Sequence, residues 1–142
     1  MSQTRIREIM QHNVVTISAG ERLSTVEDIM TLGRLRHMPV VQGGELIGVV
    51  SERDLLRASL SNLTAYGSDE RRAFLHGVEI ARVMSKPPIV IGSEALVEEA
   101  ARVMAQHKIG CLPIVDEDEK LVGLVTETDL LRYFAGLPHE PY

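Results

Sequence analysis

An α+β fold made of two β-α-β-β-α repeats follows from three observations. The phrase Gly48-Val49-Val50-Ser51-Glu52-Arg53-Asp54-Leu55-Leu56 returns 75 positions later as Gly123-Leu124-Val125-Thr126-Glu127-Thr128-Asp129-Leu130-Leu131. Ahead of each copy, β-branched runs and helix-period runs follow in the same order, and the change of apolar period separates strand from helix. Third, the 142 residues suffice for one compact domain, whereas a half of about 55 residues is marginal by itself. Two halves that each expose an apolar face stabilise one another by packing. The expectation is one pseudo-twofold module of small mixed sheets with helices on one face.

Taken in order, Ile6-Arg7-Glu8-Ile9-Met10 reads as one or two helical turns, and Val14-Val15-Thr16-Ile17 as a short strand. After the turn Ser18-Ala19-Gly20, the spacing of Val26, Ile29, Met30 and Leu32 predicts a helix from Ser24, with Gly33 as its stop. Ser24-Thr25-Val26-Glu27 has the capping-box pattern. His37-Met38-Pro39-Val40-Val41 reads as a strand in which Pro39, lacking a ladder donor, belongs near the start or on an edge. Gln42-Gly43-Gly44 is a tight turn into the strand Glu45–Val50, and Ser51 opens a helix carrying Leu55 and Leu56.

The stretch from Ser59 to Gly67 is rich in loop formers and reads as a partly ordered linker. Ser68-Asp69-Glu70 resembles a helix start, its acids favoured by the dipole, with Phe74, Leu75 and Val78 on that helix and Gly77 a weak point inside it. From Ile80 the first half is restated. Ile80–Met84 matches Ile6–Met10, Ile89–Ile91 matches Val15–Ile17, Met104 matches Met30 and Cys111–Val115 matches His37–Val41. The turn Asp116-Glu117-Asp118-Glu119 is one residue longer than its counterpart, moving the offset from 74 to 75. The boundaries expected are a first repeat over 1–57, a linker with a helix over 58–79, a second repeat over 80–135 and a loosely held tail over 136–142.

Composition narrows the function. Apolar residues at 44%, charged at 25% and aromatics at 4% without Trp describe a globular protein with an aliphatic core. A net charge of −5 argues against nucleic-acid binding, which normally shows a basic face. The single cysteine, Cys111, excludes an internal disulfide and a thiolate zinc cage. The start of the chain lacks a signal-peptide pattern, and no apolar run approaches the roughly 20 residues of a membrane helix, so a cytoplasmic protein with no membrane insertion is expected. The histidines show no metal-ligand spacing, and no nucleophile-base-acid set or phosphate loop is present. No catalytic activity is expected.

Paired β-α-β-β-α repeats, each with an aliphatic-Pro-aliphatic strand and a final Gly-x-x-(Ser/Thr)-x-x-Asp, resemble a tandem CBS (cystathionine β-synthase) domain pair, the Bateman module, from about Ile6 to Phe134. The resemblance implies a regulatory, energy-sensing module. It would bind an adenine nucleotide (AMP, ADP or ATP) or an adenosyl compound in clefts between the repeats and require no cofactor. It also implies a disc-shaped homodimer and a regulated partner, unidentified. On this likeness the ribose-binding acids fall on Asp54 and Asp129 and the hydroxyls on Ser51 and Thr126. The first-strand positions fall on Thr16 and Val90, and the adenine-lining strands on Met38-Pro39 and Leu112-Pro113.

The residue chemistry agrees. A carboxylate accepts two hydrogen bonds side by side, which suits vicinal ribose hydroxyls, and free N–H groups at a helix start suit a phosphate. The same Ser-x-x-Asp and Thr-x-x-Asp spacings are near-capping boxes that start helices; repetition of the whole pattern favours a ligand. The copies differ. Thr16, Arg36, His37 and Arg53 stand where the second half has Val90, Gly110, Cys111 and Thr128. The Asp54 site is therefore expected to bind phosphate better, with the Asp129 site weaker, empty or selective for an uncharged adenosyl group. The alternative reading is a constitutive interaction or dimerisation module with degenerate sites.

Overall fold

The computed structural model describes residues 3–60 and 68–140, so most of the expected loop, 61–67, lies outside the described residues. A 3-10 turn at Ile6–Glu8 precedes β1 (Ile17–Ser18), α1 (Leu23–Gly33), β2 (His37–Gln42), β3 (Glu45–Ser51), α2 (Glu52–Leu60) and α3 (Ser68–His76). A second 3-10 turn, Ile80–Arg82, is followed by β4 (Ile91–Gly92), α4 (Val97–His107), β5 (Cys111–Val115), β6 (Leu121–Thr126) and α5 (Glu127–Phe134). This is the α+β arrangement expected, with one small mixed sheet in each of two compact units. One unit is Val15–Pro88; the other joins Met1–Val14 to Ile89–Tyr142.

In the first of these units β1 runs parallel to β2 and β2 antiparallel to β3. Strand β2 is thus central, not an edge. Pro39 is accommodated because β1 pairs only at Val40 and Val41, so the β1 flank of β2 is unpaired where Pro39 lacks its N–H. Gly43 and Gly44, at φ +59° and +81°, make the two-residue turn that joins β2 to β3. Helix α1 starts at Leu23, one residue before the predicted cap. Ser24 lies inside it and its Oγ faces His76 Nδ1 at 3.2 Å, so its hydroxyl answers a tertiary partner instead of capping. The helix ends with Arg34, not Gly33, in the left-handed region (φ 54°), and Lys108 does the same after α4 (φ 55°). Helix α3 stops at His76, which puts Gly77 past its end. Arg72 fixes α3 to α1 through Glu27 (3.0 Å) and Asp28 (2.7 Å), and its guanidinium holds the Asp28 carboxyl below the usual carboxylate range.

The second unit repeats this plan: β4 parallel to β5, β5 antiparallel to β6, and Pro113 one residue before the point where β4 begins to pair. Asp116 Oδ1 accepts from the N–H groups of Asp118 and Lys120, both at 2.9 Å, and so shapes the longer turn.

The short 3-10 turns are exchanged between the repeats of the sequence. Ile6, fully buried, belongs to the core of Val97, Ala100, Met104, Leu112, Ile114 and Val125. Ile80, also fully buried, belongs to the core of Leu23, Val26, Met38, Val40, Val50 and Leu75. Backbone pairs seal both: Ile6 N to Ala95 O at 2.7 Å and Gln11 N to Leu124 O at 2.7 Å, with Ile80 N to Glu21 O at 2.9 Å and Ser85 N to Val49 O at 2.8 Å. Gly48 and Gly123 permit this approach. A Cβ on Gly48 would lie 2.8 Å from Ser85 O, and one on Gly123 would meet the Met10 side chain.

Candidate functional site

Strand β3 runs straight into α2, and the junction is a reciprocal cap. Ser51 N donates to Asp54 Oδ2 (2.9 Å) and Asp54 N donates to Ser51 Oγ (3.1 Å). The capping role and the placing of a carboxylate at a helix start are therefore one arrangement. Asp54 is half-buried, and among the described residues its Oδ1 accepts no hydrogen bond. Around it, Glu52 N donates to Arg36 O at 2.8 Å, which sets Arg36 beside the α2 start, and His37 pairs with Ser51 across β2 and β3. Arg36 and Arg53 are exposed and make no ion pair among the described residues. The β3–α2 junction thus combines a carboxylate oxygen that accepts nothing among the described residues, two exposed arginines and a helix start.

The matching junction of β6 and α5 is capped in the same way. Thr126 N and Oγ1 donate to Asp129 Oδ2 at 2.9 and 3.0 Å, and Asp129 N reaches Thr126 Oγ1 at 3.4 Å. The environment differs. Asp129 is buried, with 8% exposure, and its Oδ1 accepts from Gln11 Nε2 at 2.9 Å. The same Gln11 nitrogen donates to the carbonyl of Glu140 at 3.0 Å, and Arg132 donates through Nε and an Nη to Pro138 O at 3.1 and 3.0 Å. Of the tail expected to be loosely held, the described part through Glu140 is tied to Gln11 and Arg132 beside Asp129. What remains is a cavity of about 120 Å³ bounded by Ile9, Asp129, Arg132, Tyr133, Leu137, His139 and Glu140.

Of the sequence candidates, Thr16, Arg36, His37, Met38, Pro39, Ser51, Arg53 and Asp54 fall in one unit, and Val90, Cys111, Leu112, Pro113, Thr126 and Asp129 in the other. Thr16 and Val90 are exposed just before β1 and β4. Met38 and Leu112 are fully buried in the cores. Cys111 is buried, at 5% exposure. Arg71 and Arg72 are engaged by Glu27 and Asp28. Sequence reasoning missed Gln11. Its signal was its place 74 positions before Ser85, a long amide where the other copy has a short hydroxyl. The described residues hold no cluster of His, Cys, Asp and Glu fit for a metal ion, and no helix among them is long and apolar enough to cross a membrane.

A family model described as the CBS domain matches residues 6–61 and 80–136. Over 140 residues the chain is 30% identical to uncharacterised protein MJ1225 of Methanocaldococcus jannaschii, covering 92% of this chain and 47% of that protein. The chain thus spans about half the length of that relative. Its fold is similar to the CBS domain pair of protein MJ0100 in complex with 5′-methylthioadenosine and S-adenosyl-L-methionine (TM-score 0.81, 23% identity, 95% of this chain and 98% of that one). It is also similar to CBSX2 of Arabidopsis thaliana in complex with AMP (TM-score 0.76, 24% identity, 93% and 96%). At these identities the likeness is one of fold, and the bound compounds belong to those proteins.

Proposed function

The chain belongs to the CBS domain family, and from that premise we propose that it is a regulatory module that senses an adenine nucleotide or related adenosyl compound and passes the bound state to a partner. The observation that carries this reading is the Asp54 carboxylate. Its Oδ2 is held by the helix cap while Oδ1 accepts nothing among the described residues, and Arg36 and Arg53 of the same junction are exposed. In this reading Asp54 accepts the ribose hydroxyls and Ser51 adds a hydroxyl. Arg36, Arg53 and His37 receive the phosphate together with the α2 N-terminus. Thr16 and the backbone of Met38 and Pro39 face the base. Val90, Cys111, Leu112, Pro113, Thr126 and Asp129 form the corresponding set of the second repeat. That related folds hold 5′-methylthioadenosine, S-adenosyl-L-methionine or AMP supports this ligand class.

Binding would change how a partner is engaged only through a difference in affinity between two states of the module. Leu56 and Leu131 hold matching positions in the two repeats and are 56% and 69% exposed, and Phe134 is 56% exposed. These apolar side chains support association, with a second copy as a homodimer in the cytoplasm, or with the regulated protein. They equally support the second reading, a constitutive interaction module.

Thermal unfolding with AMP, ADP, ATP, S-adenosylmethionine and 5′-methylthioadenosine separates the two. A compound at about 100 times its dissociation constant stabilises by roughly 2.7 kcal/mol, which raises the midpoint by several degrees in a domain of this size. The expected result is a rise with at least one of them that disappears in Asp54→Ala. No rise with any of the five would establish the constitutive reading in its place.

A further inference from the structure

We propose that the segment Leu137–Glu140, together with the Gln11 carboxamide, is an internal strap that closes the Asp129 site, so that the resting chain offers ligand only the Asp54 site. The inference rests on the functional reading above and concerns its regulation. Both oxygens of Asp129 are already engaged, Oδ2 by the helix cap and Oδ1 by Gln11 Nε2. A ribose hydroxyl approaching Oδ1 would have to compete with that amide for a carboxylate that is only 8% exposed. The amide in turn holds the Glu140 carbonyl, and Arg132 grips the same segment twice, at Pro138 O and at Glu140 Oε2 (3.3 Å). Gly136, at φ +75°, makes the reversal that brings the chain back, closed by Leu137 N donating to Arg132 O at 2.8 Å.

Volume agrees with closure. The space left under the strap, about 120 Å³, is well below the roughly 300–1,000 Å³ of small-molecule sites. Among the described residues the other copy lacks the amide: Ser85 stands in the place of Gln11 and is exposed, with its backbone paired to Val49. The strap is held by a few polar contacts at the surface, where Glu140 is 71% exposed, so it can be released without unfolding the core. A partner that takes up the tail, or a high concentration of ligand, would then open a second site.

The test uses the full chain, with AMP and 5′-methylthioadenosine as probes in calorimetric titrations. Gln11→Ser copies the residue of the other repeat and removes both amide bonds; Glu140→Arg independently turns the Arg132 ion pair into repulsion. Melting curves show that each variant is folded. The unaltered chain is expected to bind a probe at a single site that Asp54→Ala abolishes. Each strap variant should gain a second binding event, roughly tenfold or more tighter than any weak event in the unaltered chain. That event should vanish when Asp129→Asn is added. If both strap variants keep the original single Asp54-dependent event, the strap is overturned and the functional reading stands. If the unaltered chain binds through Asp129, the strap is likewise overturned. If neither probe binds any of these chains, the strap as a regulator of these ligands is overturned, while the functional reading stands or falls on the five-compound thermal series.

Discussion

Replacing Asp129 with Ala removes the side-chain half of the capping box of α5, leaving Thr126 as the N-cap, and, at the same stroke, the acceptor of a buried amide. The lost half of the box contributes about 0.5–1.5 kcal/mol. Gln11, only 2% exposed, would keep its contact to Glu140 but lose its carboxylate partner, which adds about 1–3 kcal/mol. Asp54→Ala loses only the matching half of its capping box, because among the described residues nothing else leans on that carboxylate. Urea unfolding of the two variants should therefore show Asp129→Ala as the more destabilised by more than about 1 kcal/mol. Equal losses would mean that the Gln11 amide contributes no net stability. The Ser-x-x-Asp and Thr-x-x-Asp spacings are caps in both copies: one carboxylate oxygen serves the helix, and among the described residues what the other meets differs between copies.

Strands β3 and β6 are shaped by what lies across them. Gly48 sits where Val49 and Ser85 exchange both backbone hydrogen bonds, at 3.1 and 2.8 Å. A methyl there would lie 2.7 Å from Met84 Sδ and 2.8 Å from the Ser85 carbonyl. The thioether can swing aside; the carbonyl is fixed by its own hydrogen bond. Gly48→Ala should cost about 1–3 kcal/mol, the range for overpacking a well-filled site. Gly92→Ala, with nothing within 4 Å of the added methyl, is the control and should leave the melting midpoint nearly unchanged. Comparable shifts in both would place the cost in the glycine backbone rather than in the close approach. From sequence, the glycine of each repeated phrase carries no sign of which segment crosses it.

At the scale of the molecule, the unit of packing is not the unit of repetition. The family pattern begins at residue 6 and ends at residue 61 in the first copy, yet Leu75 and Ile80, both fully buried in that copy's core, lie beyond it. A fragment Val15–Pro88 should unfold cooperatively on heating from low temperature, with a marginal midpoint expected for its size. A fragment over 6–61 should show no transition, since it lacks two side chains of its core and carries Ile6, Ile9 and Met10 without theirs. Circular dichroism melts of the two decide this. A cooperative 6–61 fragment would show that the repeat folds by itself and that the exchange of segments is a later docking.

The sequence alone determined the duplication, the order of strands and helices within each copy, the family and the pair of capped acids. These follow from local period, turn chemistry and the recurrence of one phrase, all of which act over a few residues. Boundaries moved where tertiary contacts outweighed local signals, as when Ser24 gave its hydroxyl to His76 instead of capping α1. Only the tertiary structure decided which core each 3-10 turn enters. Ile6–Met10 and Ile80–Met84 carry the same apolar pattern, so either fits either core, and burial has no direction along the chain. For the same reason the closure of Asp129 could not be read in advance. It joins Gln11 to an acid 118 positions away, and its meaning depends on a distance of 2.9 Å that no local pattern encodes.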